Sequence, residues 1–384
     1  MENTIYVDNS ATTAVSEKAL EAMLPYFREN YGNPSSVHSR GQEAQRALEN
    51  SRRTVARAIG AYNNEIYFTS GGTESDNWAL NAVCELKRDK GRHIISTAIE
   101  HNAVLKTCEK LQKRGLEVTL LKPDKYGQIT AEQLKQNIRS DTILVSIMTA
   151  NNVVGTILPI KELCDTAHKA GIVFHTDAVQ AVSHIPVNVR TLGVDLLSMS
   201  AHKFHGPKGV GALFSKLSLL PPPYLTGGGQ EKGCRSGTEN IPGIVGMAAA
   251  IKDGTENLPE NIRKITANRD KLIENVIKIP GAYLTGDPVN RLPGLASFIF
   301  EGIEQAVFIV NKLNEHGICA SSGSACSASS KEASHVLAAM GYDEGISFGT
   351  LRISLSEYNT EEEIDTIINK LPLIIAEIRS ENRM

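Results

Sequence analysis

Three short stretches carry residue types that could do chemistry together. Asp177 lies in HTDAVQ just after the apolar run 171–174, with Gln180 three residues on. In open α/β sheets ligands bind beyond the carboxyl ends of strands, so an acid there points into the usual site; it also suits a helix N-cap ahead of 178–182. Lys203 lies in LSMSAHKFHGPKG (197–209), where an apolar strand ends in Ser200, His202 and Lys203 before a Gly-Pro turn. Crowding at a strand end lowers the pKa of a lysine, as an amine nucleophile requires, whereas most single lysines are solvated surface groups. Ser70, Gly71, Gly72 and Thr73 follow the apolar run 65–69 and precede a helical stretch from about Glu74. Backbone N–H groups and a hydroxyl at a helix N-terminus form an anion site, with phosphate the obvious anion and a capped glycine turn the plain alternative. No G-K-[ST] follows and the G-x-G-x-x-G spacing is absent, so this is neither a P-loop nor a dinucleotide fingerprint.

Positioning these residues requires a sheet whose strand ends converge. Short β-rich apolar runs at 65–69, 93–97, 118–121, 142–148, 172–175, 196–199 and 209–214 alternate with helical periodicity, the pattern of βαβ units. Ala44, Ala47, Leu48, Val55 and Ile59 recur at helical spacing, as do Ile160, Leu163, Cys164 and Ala167, and such helices cover the sheet faces. The stretch 219–229 (LLPPPYLTGGG) suits neither helix nor central strand and reads as a connector. Beyond it come a long charged helix over 260–279, β-like segments at 296–301 and 351–355, and a last helix opened by a Thr360/Glu363 capping box. The spacing predicts an α/β protein with a large domain over 15–256 and a smaller α+β domain formed by 1–14 and 257–384.

Composition narrows the partners. At 384 residues, 41% hydrophobic and 22% charged, the chain is an ordinary globular one. Its 40 basic and 43 acidic residues give a net charge of -3, with no basic field for direct nucleic-acid binding. No apolar run reaches the roughly 18 residues of a membrane span, and the N-terminus has no export signal, so a soluble, cytoplasmic protein is expected. The six cysteines, Cys84, Cys108, Cys164, Cys234, Cys319 and Cys326, include no C-x-x-C pair, which fits a reducing compartment and argues against a zinc site.

A strand-end aspartate, a strand-end lysine and a helix-capping phosphate cradle are together the parts of a pyridoxal 5'-phosphate site, where the acid keeps the ring nitrogen protonated and the lysine forms the imine. Here the chain resembles the class-V aminotransferases of fold-type I, and closely the NifS/IscS-type cysteine desulfurases. The matching stretches include 7–13 (VDNSATT), 68–76 (FTSGGTESD), 100–104 (EHNAV), 151–155 (NNVVG), 176–180, 200–203, 235–238 (RSGT), 321–326 (SSGSAC) and 351–355 (LRISL), nearly the whole chain. The resemblance implies a large domain with a mainly parallel seven-stranded sheet. It implies that Lys203 links to the cofactor, that Asp177 pairs with the ring nitrogen and Gln180 with the ring hydroxyl, and that Gly72, Thr73, Ser200 and His202 hold the phosphate. His101 would stack on the ring and move protons, Asn152 would lie by cofactor and substrate, and Arg352 would clamp the substrate carboxylate. Thr238 would reach the neighbouring subunit's cofactor, which implies a homodimer.

The same resemblance makes L-cysteine the substrate and Cys326 the nucleophile. Cys326 would take the sulfur as a persulfide, leave alanine, and pass the sulfur to an acceptor protein. Small residues around it in 321–330 (SSGSACSASS) keep the thiol uncrowded, whereas Cys319 and Cys164 have apolar neighbours that suit buried, inert thiols. No resident metal is expected, although Cys326 is a candidate transient iron-sulfur ligand. The chain departs from the family at Val15, at Val153 and at Ser356-Glu357-Tyr358, where Gly-Arg-Phe is usual. It also ends at Met384 without the extension some relatives use to contact a scaffold protein. Iron-sulfur assembly, tRNA thiolation and another thio-cofactor route all stay open as destinations. Selenocysteine lyase activity is the nearest rival, a plain aminotransferase has no use for Cys326, and a non-catalytic sulfur carrier has no need of Lys203 and Asp177.

Overall fold

The computed structural model describes residues 4–322, 334–343 and 349–381. After a short first strand, β1 (Ile5–Tyr6), come β2 (Ile66–Thr69), β3 (His93–Thr97), β4 (Glu117–Leu121), β5 (Thr142–Ser146), β6 (Val173–Asp177), β7 (Leu196–Ser200) and β8 (Gly211–Ser215). These seven form one sheet of order β2-β8-β7-β6-β5-β3-β4. β8 runs antiparallel to both neighbours, and the other pairings are parallel. The fold is thus α/β with the expected mainly parallel seven-stranded sheet.

Helices cover both faces, so the central strands are buried along their whole length and successive residues enter opposite cores. Leu197 and Phe214 pack with Val55 and Met247, from the helices Ser39–Ala58 and Ile241–Glu256, while Leu196 and Leu213 pack with Trp78, Val83 and Val104 on the other side. The connector at 219–229 contains no helix or strand, and it is tied down by the Trp78 indole N–H, which donates to the Pro222 carbonyl at 3.1 Å.

The later part of the chain builds β9 (Ala282–Leu284), β10 (Leu295–Phe300), β11 (Ile318–Cys319), β12 (Ser321–Ser322) and β13 (Thr350–Ser354). Four of these make an antiparallel sheet of order β12-β13-β10-β9, with its own core of Phe298, Phe300, Leu351 and Ile353 against the helices Leu258–Val276 and Glu361–Glu381. β1 pairs in parallel with β11, which brings the start of the chain to this second sheet. The capping box forms as expected: Thr360 N–H donates to Glu363 and Glu363 N–H to the Thr360 hydroxyl.

Two local expectations change. The strand expected over 172–175 runs on to Asp177, and 178–182 forms turns instead of a helix. Asp177 Oδ1 accepts the Val179 N–H at 2.9 Å and Ser183 adopts φ +63°, so the chain reverses where a helix would have continued. No described helix is long and apolar enough to cross a membrane.

Candidate active site

The site is built where β6 and β7 end. In their register Asp177 lies opposite Ser198, so Asp177 and Ser200 finish neighbouring strands, and the 3-10 turn Ala201–Lys203 delivers His202 and Lys203 beside them. The helix Gly72–Leu86 begins directly after β2 and aims its N-terminus, with Gly72 and Thr73, at the same place. A Cβ on Gly72 would come within 2.6 Å of a Val179 methyl, so only glycine lets this helix end approach the turn after β6.

Gly72, Thr73, His101, Asn152, Asp177, Gln180, Ser200, His202, Lys203 and Arg352 all line one cavity of about 260 Å³. Thr238 does not: it lines a separate hollow of about 220 Å³ with Ser70, Arg235 and Gly237. Cys326 lies outside the described residues. Among the other residues of the main cavity, Ser10, Ala11, Asp76 and His335 are polar or backbone contacts for which the sequence suggests no role. The first three fall within motifs that signalled the family, but nothing in their spacing marks their function. The Lys203 ammonium donates to the carbonyls of Ser10 (2.5 Å) and Ala11 (2.7 Å), and the Gln180 amide donates to Ser10 at 2.9 Å. The opening segment therefore holds both side chains.

Burial sets the protonation states. It pushes the Asp177 carboxyl up, opposed by His101, the Val179 N–H and Lys203. It pushes His202 down to about 4, with Lys203 and Lys208 adding to the effect. His101 also lies below its ordinary value through burial. His101 Nδ1 accepts the Ala103 N–H at 3.1 Å, capping the helix Asn102–Gln112, so the proton of the neutral ring sits on Nε2. Glu100, beneath it, is pushed up to about 8 by burial.

Arg352 is the residue that the resemblance assigns to the substrate carboxylate. It is 2% exposed in β13, because that strand lies between β10 and β12 in the second sheet. Its Nη2 donates to Asp8 Oδ1 at 2.8 Å and its Nη1 to the Asn152 carbonyl at 3.0 Å, while its buried Nε has no hydrogen-bond partner. An orphaned guanidinium donor beside a cavity is suited to a carboxylate ligand. Among the other thiols, Cys164 is buried and pushed up to about 12, as its apolar neighbours suggest, whereas Cys319 is only half-buried.

The residues present fit pyridoxal 5'-phosphate. Hydroxyls, neutral imidazole and a helix N-terminus suit the phosphate, a fully buried carboxyl suits a protonated ring nitrogen, and an amine lies between them. Such strand-end chemistry on this sheet defines a fold-type I pyridoxal phosphate enzyme. The chain matches the aminotransferase class-V family over residues 5–367 and belongs to it. It is 50% identical over 376 residues to the cysteine desulfurase IscS of Methanosarcina thermophila, covering 98% of this chain and 93% of that one. It is 46% identical over 382 residues to the IscS of Clostridium botulinum, covering 99% and 96%. A solved NifS-like protein superposes with a TM-score of 0.92 at 41% identity, covering 98% of this chain and all of that one.

Proposed function

We propose that this enzyme is a pyridoxal 5'-phosphate-dependent cysteine desulfurase that converts L-cysteine to L-alanine and carries the sulfur as a persulfide on Cys326. The observation that carries this reading is the convergence of Lys203, Asp177, Gln180 and Arg352, from three separate stretches of chain, on one cavity. In it Lys203 would link the cofactor, Asp177 would pair with the ring nitrogen and Gln180 with the ring hydroxyl, and Gly72, Thr73, Ser200 and His202 would hold the phosphate. His101, in the same cavity lining, would stack on the ring. When bound, the cofactor supplies an electron sink for the substrate Cα.

The rest falls to side chains of the protein. Arg352 binds the substrate carboxylate, with Asn152 beside it, and Lys203 Nζ removes the Cα proton. The Cys326 thiolate attacks the substrate sulfur: an S–S bond forms, the Cβ–S bond breaks, and Cβ gains a proton while Cα regains the one it lost, giving alanine. The persulfide then passes to an acceptor protein, for iron-sulfur cluster assembly or for thiolation of tRNA or a cofactor, with a transient cluster at Cys326 as one form of transfer.

The two separate cores support a cofactor domain at 15–256 and a small domain at 1–14 and 257–384. A homodimer in which Thr238 reaches the partner's phosphate site is supported by the position of Thr238 outside its own cavity. Free thiols at all five described cysteines support a cytoplasmic setting.

Substitution separates the two central roles. Lys203→Ala loses the absorption of the lysine-linked cofactor and all desulfuration, whereas Cys326→Ser keeps that absorption and still binds cysteine but forms no persulfide. Sulfur loading on the Cys326→Ser protein would overturn the assignment.

A further inference from the structure

Behind the cofactor cavity lies a layer of buried polar side chains that the reaction as described does not use. Asp76, on the second turn of the helix Gly72–Leu86, is 1% exposed and forms part of the cavity wall with Asp177. His175 and Asp177 are two residues apart on β6 and so share the face this helix covers. His175 Nε2 lies 3.7 Å from Asp76 Oδ1 and 3.0 Å from the Ser198 hydroxyl, while its Nδ1 lies 2.8 Å from the Ser146 hydroxyl. Asp76 Oδ1 itself has no hydrogen-bond partner. One wall thus presents two buried carboxyls, backed by an imidazole and two hydroxyls.

Their surroundings differ. Among the described residues, the charges that act on Asp76 are the carboxyls of Asp177 and Glu100, and the Ser198 hydroxyl is its one favourable polar contact. Asp177 faces two basic groups, His101 and Lys203, and the Val179 N–H. Two carboxyls in one dry layer do not both ionise, and the charge settles where basic groups and an N–H donor face it. Burial and the charge on Asp177 both push Asp76 well above the usual carboxylate range. The imidazole between them contributes no charge, since burial lowers His175 to about 3.

We propose that Asp76 and Asp177 form an acid–carboxylate pair in which Asp76 keeps its proton, so that Asp76 is a positioning residue behind the cofactor ring and Asp177 alone carries the negative charge. The proposal rests on the cofactor reading given above and assigns the wall a division of labour. Asp177 meets the ring nitrogen as an anion. Asp76, neutral and polar, keeps Ser198 and His175 in place without adding a second charge that would compete for the same proton. An apolar residue there would strand those groups, and an ionised one would spread the charge over both carboxyls.

The first test reads the proton directly. Infrared difference spectra at neutral pH between the wild-type chain and Asp76→Asn should show loss of a protonated carboxylic acid C=O band. Loss of carboxylate bands instead would overturn the proposal. This measurement runs on the full chain with or without cofactor, so it fails or succeeds independently of the desulfurase reading, whose own failure would show as absent cofactor absorption in the wild type.

The second test uses the holoenzyme. Asp76→Asn, a neutral isostere, should keep the pH midpoint of cofactor absorption and lower kcat by no more than about threefold. Asp76→Leu should lower kcat by about tenfold or more with little change in KM. A downward shift of that midpoint by about one pH unit or more in Asp76→Asn would show a lost negative charge and overturn the proposal. Wild-type kcat in Asp76→Leu would overturn the positioning role.

Discussion

The floor of the cavity and its far wall use charge in opposite ways. On the floor, at the ends of β6 and β7, Asp177 and His175 are buried between neighbouring strands and His202 is half-buried in the turn after β7, and burial moves each of them toward its neutral form. On the wall, Arg352 is as deeply buried, and Asp8 and the Asn152 carbonyl occupy two of its donors. Burial therefore acts through the chemistry of each group: it neutralises an imidazole readily, whereas a guanidinium needs hydrogen-bond acceptors around it. A floor with one carboxylate, Asp177, among neutral imidazoles selects proton positions on a bound ring, and a positively charged wall selects an anion.

The wall should be the easier side to break. Arg352→Gln removes a fork suited to the substrate carboxylate and should lower kcat/KM by about a hundredfold, carried mainly by KM, with the cofactor spectrum unchanged. Arg352→Lys should not restore it, because a point charge lacks the planar fork. Loss of cofactor absorption in Arg352→Gln would place the arginine on the floor's side of the division. A smaller effect is expected from Asp8→Asn, which leaves the guanidinium charged but weakens its orientation: steady-state kinetics should show a fall of about five- to tenfold in kcat/KM. An unchanged KM would show that Asp8 does not position Arg352.

The same division explains what was legible in the sequence. Asp177, Ser200, His202 and Lys203 follow apolar runs, and parallel strands bring their carboxyl ends together, so a reading of strand ends alone locates the floor. Gly72 and Thr73 announce themselves as a glycine turn before a helix. The wall has no such local signal. Asp8 and Arg352 are 344 residues apart and meet because two-residue strands dock the start of the chain against the second sheet. Only resemblance to a family singled out Arg352, because one charged residue in a strand-like run carries no local sign of a site. Asp76 was hidden for a different reason: in sequence it is one polar residue in a helix, and its depth comes from how that helix lies across β6 and β7.

The smallest expected effect tests the floor through stability. His175 is fully buried and its pKa falls from an ordinary 6.5 to about 3, so the folded chain holds it neutral while the unfolded chain protonates it below 6.5. Between those values the unfolded state binds more protons, and stability must fall as pH falls. At pH 5 this one group costs at most about 2 kcal/mol relative to pH 7. Glu100, raised to about 8, acts in the opposite direction over the range above 4.5, so the wild-type profile mixes the two. His175→Asn removes only the first contribution. Its urea midpoint should therefore change less between pH 7 and pH 5 than that of the wild type, by up to about 2 kcal/mol in unfolding free energy, whatever the absolute stability of the variant. Equal changes in the two proteins would show that β6 does not hold this imidazole neutral, and the floor would then rely on compensating charge as the wall does.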